Sequence, residues 1–163
     1  MTPADLQYLK RAIELSGAAR RNGKHPFAAM VVAADGSVLS EAGNNSLPPE
    51  GDPTQHAELR AAQIAYRSGS ARQLAGATLY SSAEPCAMCS GAIYWCGIGR
   101  VVYALSEENL LRLTGDHPEN PTFSLPCREV FARGQRKVEV HGPALEEEAA
   151  AAHLGLWQRA PTS

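Results

Sequence analysis

"ATLYSSAEPCAMCSGAIYWCGIGRVVYAL" (residues 77–105) lays out a strand, a helix and a second strand in succession. ATLYSS and RVVYAL carry the β-branched and aromatic bias of strands, and the stretch from Pro85 to about Cys96 between them suits a helix opened by a proline at its first position. A unit of this size favours a right-handed crossover with the two strands parallel. The alternation continues on both sides, with a helix from about Gln55 to Ser68 before it and SEENLLRL (106–113) after it. Further upstream, Leu6, Leu9, Ala12 and Ile13 recur at helical intervals between Asp5 and about Gly17. FAAMVVAADGSVLSEAG (27–43) then reads as two strands joined at Asp35-Gly36, a tight-hairpin signal. Residues 114–134 are proline-rich and irregular, which suits a long loop and a pocket wall. KVEVH (137–141) is a short strand, and a last helix opens at Gly142-Pro143 with Glu146, Glu147 and Glu148 near its positive end. The expectation is a single α/β domain over residues 1–163, with a mixed sheet whose N-terminal hairpin is antiparallel.

The bulk numbers fit one domain. A chain of 163 residues that is 44% hydrophobic and 20% charged can bury one real core. A formal net charge of −2 gives no global attraction to phosphate backbones. No apolar run approaches a membrane span, and the N-terminal stretch is amphipathic rather than a leader, so a cytoplasmic protein is expected. The four cysteines, Cys86, Cys89, Cys96 and Cys127, are too few and too clustered for a disulfide framework. A Cys-x-x-Cys pair in such a chain points to metal or redox chemistry, whereas Cys96 and Cys127 read as ordinary thiols.

The ionisable chemistry is crowded at two helix starts. In HAELRAAQIA (56–65), Arg60, Gln63 and Arg67 form a solvent stripe, while Ala61, Ala62, Ile64 and Ala65 fill the packed faces. His56 and Glu58 lie about 200° apart around a helix, so they share a target only if it sits off the helix end. Cys86 and Cys89, three residues apart in the first turn of the other helix, share a face. Two thiolates and one imidazole are three ligands suited to Zn²⁺, and both helix N-termini aim partial positive charge at the metal. Three protein ligands leave a fourth tetrahedral position open, the mark of a catalytic site, where water ionises near neutral pH. Glu58, beside the metal but not on it, then suits the role of proton acceptor and donor. Taken alone, a histidine at a helix start is more often a cap, and a lone Cys-x-x-Cys is more often structural zinc or coincidence; the combination is the specific signal.

His-x-Glu followed thirty residues later by Pro-Cys-x-x-Cys is similar to the zinc deaminase signature. DPTQHAELRAAQIA, LYSSAEPCAMCSGAIYWCGIGRVVYALS and HPFAAMVV together resemble the cytidine deaminase-like superfamily, on the branch of guanine or nucleoside deaminases and tRNA adenosine deaminases. The resemblance runs from roughly Phe27 to Leu105 and implies a three-layer α/β/α fold with a five-stranded mixed sheet. It implies that His56, Cys86 and Cys89 hold one zinc ion and that Glu58 is the catalytic proton shuttle. It also carries over Asn45 as a contact to the base or sugar, Phe27 as an aromatic packed on the base, and the Ala57 backbone N–H as a substrate contact. A homodimer is implied as well. The chain departs from its relatives at Pro26-Phe27-Ala28-Ala29, where Pro-Phe-Gly-Ala is common, and its acidic C-terminal helix lacks the arginine-rich tail of the tRNA enzymes.

The function these residues point to is zinc-dependent hydrolytic deamination of a small nucleobase or nucleoside, with release of ammonia. Adenosine deamination in tRNA is the alternative within the class. A structural zinc module, with a fourth ligand drawn from His25 or Cys127, is the alternative outside it. Arg20, Arg21, Lys24 and His25 form a local basic cluster whose ordinary reading is cations at a helix C-terminus. Selectivity for a particular base is expected from residues 114–128 or the C-terminal helix, which no motif fixes.

Overall fold

The computed structural model describes residues 1–158, so the last five positions of the expected domain lie outside the described residues. Five strands, β1 (Ala28–Val32), β2 (Val38–Gly43), β3 (Thr78–Ala83), β4 (Arg100–Leu105) and β5 (Glu139–His141), form one sheet in the order β2-β1-β3-β4-β5. β1 runs antiparallel to both β2 and β3, whereas β3–β4 and β4–β5 are parallel, so the sheet is mixed as expected. Strand alternation sends side chains to two cores. Ala29, Val31, Leu79, Val101 and Tyr103 meet α2 (Ala57–Ser68), α3 (Ala71–Ala75), α4 (Ala87–Trp95) and α6 (Cys127–Ala132) on one face. Met30, Val32, Tyr80, Val102 and Ala104 meet α1 (Pro3–Arg21), α5 (Glu107–Thr114) and α7 (Glu146–Ala151) on the other. The result is the expected three-layer α/β/α arrangement. Among the described residues no helix is long and apolar enough to cross a membrane.

Several boundaries differ from the sequence reading, each for a local reason. α1 passes through Gly17 and stops only at Asn22, where Gly23 adopts φ 78°; the roughly 1 kcal/mol cost of a helical glycine is outweighed by packing such as that of buried Ala19. The hairpin turns where Asp35-Gly36 predicts: the Gly36 N–H donates to the Ala33 carbonyl and the Ala33 N–H to the Ser37 carbonyl, both at 2.9 Å, with Gly36 at φ 87° and Asp35 bracing Ser37, so the paired residues Val32 and Val38 lie just outside the turn. α3 was not expected, yet Ser70 and Gln73 form a reciprocal capping box that starts it. α6 lies inside the stretch read as irregular and is held by buried Cys127 and Phe131. α7 begins at Glu146 rather than at Gly142-Pro143, because the Ala144 N–H still bonds the Ala104 carbonyl alongside β4. On α2, Ile64 lies on the exposed face and not on a packed one, while Ala57, Ala61, Ala62 and Ala65 are buried.

Candidate active site

His56 and Cys86 are both helix N-caps, at α2 and α4, with extended backbone and no side-chain capping bond. Their carbonyls accept the first helical bonds, from Arg60 and Ser90 at 3.0 and 2.8 Å. Cys86 therefore stands one step outside the first turn in which the sequence reading placed it, and Pro85 precedes the cap. An N-cap side chain projects off the helix end, which is why two helices arriving nose to nose can surround one point. The ligand atoms of His56, Cys86 and Cys89 all lie within 4.8 Å of one another, and Cys86 Sγ sits 3.6 Å from His56 Nδ1. Tetrahedral zinc with bonds of about 2.0–2.3 Å requires edges of roughly 3.3–3.8 Å, so the donor set and its spacing fit this ion. Among the described residues neither His25 nor Cys127 joins the cluster: the His25 ring is held by Glu119 at 2.8 Å and faces Ser46, and Cys127 opens α6.

Glu58 is only 5% exposed and its Oε2 lies 3.8 Å from Cys89 Sγ. Burial, reinforced by the Cys86 charge, lifts its carboxyl to about 7. The Cys86 thiol moves the other way, to about 4, chiefly because Cys89 and then His56 donate to it. Cys89, as the donating partner and deeply buried, is raised well above its ordinary value. The cluster thus favours one thiolate beside a carboxyl poised near neutrality, before any metal is considered.

Ala57 directly follows His56, Asn45 is bonded to Gln55 on the other side of His56, and Phe27 leads into β1. The Asn45 amide donates to Gln55 Oε1 at 2.5 Å and its backbone N–H to the Gln55 carbonyl at 3.0 Å, next to His56. The loop folds tightly there, since a Cβ on Gly51 would lie 1.7 Å from the Asn45 carbonyl oxygen. Ala57 is fully buried in the first turn of α2, where backbone N–H groups have no helical acceptor. Phe27 contacts both cores and is edge-on to His153 at 5.1 Å, with Trp157 at 6.4 Å. His25 and His117 also pack on Trp157, so residue 117 of the expected wall and the C-terminal segment converge on Phe27.

Two carboxylates that sequence reasoning did not single out complete the surroundings. Buried Glu84, the residue before Pro85, accepts the Cys127 N–H at 3.0 Å and the Glu107 N–H at 3.1 Å, so one side chain ties the starts of α5 and α6 to the Cys86 segment. Glu107 is half-buried, and burial followed by the charges of Cys86, Glu58 and Glu84 pushes its carboxyl up to about 8. Glu84 adjoins the Pro-Cys motif and was visible there; Glu107 carries no motif at all. Three members of the basic cluster are engaged internally: Arg20 bonds the Ala152 and Leu154 carbonyls, Lys24 pairs with Glu50 and His25 with Glu119.

Comparison with known proteins agrees with this geometry. Residues 2–105 match the family model for the cytidine and deoxycytidylate deaminase zinc-binding region. A probable cytosine deaminase of Schizosaccharomyces pombe is 43% identical over 157 residues, covering 96% of this chain and 94% of that protein. A tRNA-specific adenosine deaminase of Haemophilus influenzae is 36% identical over 107 residues, covering 63% of this chain and 59% of that protein. The solved guanine deaminase of Nitrosomonas europaea superposes with a TM-score of 0.72 at 26% identity, over 90% of this chain and 80% of that one. With His56, Cys86 and Cys89 all inside the matched region, the chain belongs to the cytidine and deoxycytidylate deaminase family.

Proposed function

We propose that this chain hydrolytically deaminates a small nucleobase or nucleoside, with cytosine and guanine as the first candidates. His56 Nδ1, Cys86 Sγ and Cys89 Sγ would hold the zinc ion, and Glu58 would move the protons. Zinc bound there supplies a Lewis acid that brings the ionisation of water down to near neutral pH. Glu58 supports its role by position and by its carboxyl near 7: it can take a proton from water at Oε2, pass it to a ring nitrogen, and later protonate the departing amine. The Ala57 N–H and the Asn45 amide would orient the polar edge of the ring, and Phe27 would pack on its face. The products are the oxo-base and ammonia. The observation that carries this reading is a buried carboxylate within reach of a three-ligand cluster.

Residues 1–163 would act as one deaminase domain, since the fission-yeast relative matches 96% of the chain. Four free thiols suit a reducing compartment such as the cytoplasm. A homodimer through α4 is the assembly we infer. Trp95 is 83% exposed, Met88 lies seven residues earlier on the same helical face, and Gly91 between them has open space beside it.

Ammonia release by the zinc-loaded protein, assayed on cytosine, guanine, cytidine and tRNA, tests the activity. Turnover of a free base or nucleoside is expected. Turnover of tRNA alone would replace this reading with adenosine editing, and retention of zinc with no turnover of anything would leave a structural module. Sedimentation of wild type against Trp95→Arg tests the dimer, with monomers expected from the variant.

A further inference from the structure

We propose that Glu107 is a specificity-determining residue of this site, its carboxyl accepting an N–H of the bound heterocycle other than the amine that is lost. The inference rests on the deaminase reading above and deepens it. Three observations carry it.

The first is place. β3 and β4 are parallel, with Ala83 opposite Leu105, and continuing that register past the strand ends sets Glu107 abreast of Pro85, one residue from Cys86. The carboxyl ends of parallel strands are where open α/β sheets bind their ligands.

The second is anchorage. The Glu107 N–H is bonded to Glu84 Oε2 at 3.1 Å, and the Glu84 N–H to the Leu105 carbonyl at 2.8 Å. The backbone that carries Glu107 is therefore fixed to the segment that carries Cys86.

The third is an unused side chain. Every other buried carboxylate outside the metal cluster has its partners: Asp5 has Arg100 and Tyr80, and Glu84 has two backbone N–H groups. Glu107 is half-buried in the field of Cys86, Glu58 and His56, yet no described residue bonds its carboxyl. Its neighbour Glu108, with a side chain 77% exposed, pairs with Arg112 on the outer face. The Glu107 carboxyl oxygens are not among the buried atoms without a partner, so they still reach water, and a heterocycle edge can take that water's place on them. Cytosine and guanine both carry a ring N–H beside a carbonyl; a pyrimidine nucleoside has lost its own to the sugar bond. An acceptor here therefore favours cytosine over cytidine.

The test compares wild type, Glu107→Ala, Glu107→Gln and Glu108→Ala, all zinc-loaded, on cytosine against 1-methylcytosine and guanine against 1-methylguanine. Ligand dissociation constants are measured in parallel in the Glu58→Gln background, where substrate is not consumed. We expect Glu107→Ala to weaken binding and kcat/KM for the N–H-bearing base by about tenfold or more, to compress its advantage over the methylated analogue, and to keep wild-type zinc content and Tm. Glu107→Gln, whose amide oxygen still accepts, should recover most of the loss, and Glu108→Ala should change neither. An unchanged preference in Glu107→Ala, an equal loss on both members of a pair, or the same loss in Glu108→Ala would overturn the role assigned to Glu107 while leaving the deaminase reading intact. Absence of turnover and of binding in the wild-type background would remove the deaminase reading and this inference with it.

Discussion

A helix N-cap is normally serine, threonine, aspartate or asparagine, whose side-chain oxygen bonds an otherwise orphaned N–H. Here the caps of α2 and α4 are His56 and Cys86, and neither makes that bond. Each helix forgoes about 0.5–2 kcal/mol of capping, and what it gains is a ligand atom projecting beyond its end. Replacing Cys86 by serine separates the two effects. Cys86→Ser installs a good cap and removes a soft ligand, so the metal-free variant should melt no lower than the metal-free wild type while its zinc stoichiometry falls. A parallel loss of apo stability would mean that the thiol is needed for packing rather than for metal. Glu58 calls for the opposite experiment. Glu58→Gln keeps the shape and removes proton transfer, so zinc should be retained and kcat should drop by roughly 10²–10⁴-fold; a variant with full zinc and unimpaired turnover would exclude the shuttle role.

At the scale of elements, α1 is fastened to the sheet by one buried carboxylate. Asp5 accepts from Arg100 at 2.7 and 2.9 Å, from the Tyr80 hydroxyl at 2.8 Å and from the Thr2 N–H at 2.7 Å. The Arg100 guanidinium, aided by the other donors, holds its carboxyl well below the usual range against the opposing effect of burial. A carboxylate whose acidity is enhanced by folding stabilises the fold fully above its ordinary value of 3.8, and that contribution is lost as pH falls below it. Asp5→Asn should therefore cost about 1.5–3 kcal/mol at pH 7, the loss expected for charge-assisted hydrogen bonds to the part-exposed Arg100, which still faces Glu139. The gap between variant and wild type in denaturant melts should narrow below pH 4; a gap constant with pH would assign the loss to packing. Thr2 and Asp5 form a capping box within the first turn of α1, but the Arg100 and Tyr80 contacts span 95 and 75 residues and leave no local trace. The same distinction separates the two unexpected helices: α3 carries a local signal, the Ser70 and Gln73 capping box, that the sequence reading passed over, whereas α6 has a proline at its N-cap, no side-chain cap and only tertiary anchors.

Across the whole molecule, the metal-binding half of the site was legible because each ligand sits at a helix start and spacing within a motif survives folding. Of the aromatic wall, Phe27 and the stretch holding His117 were named from the sequence, but the joining of His25, Phe27, His117, His153 and Trp157 was not legible, because they meet only through the tertiary fold. That wall has a pH dependence of its own. His153 is buried, with Arg20 and His25 nearby, and burial first, then their charges, lower it to about 4 from 6.5. Its Nδ1 accepts from Trp157 Nε1 at 3.1 Å, a bond that requires an unprotonated Nδ1. Folding thus disfavours the protonated ring, so the stability it confers is complete above pH 6.5 and drains away between pH 6.5 and 4. Closing the wall over Phe27 should weaken in the same window. Trp157 fluorescence followed in a Trp95→Phe background, which leaves a single indole, should show a transition there, and KM for the substrate should rise with it. In His153→Phe the ring stack is kept and the titration removed, so the transition should vanish; if it persists unchanged, the proton is being taken up elsewhere and the C-terminal segment is not the element that responds.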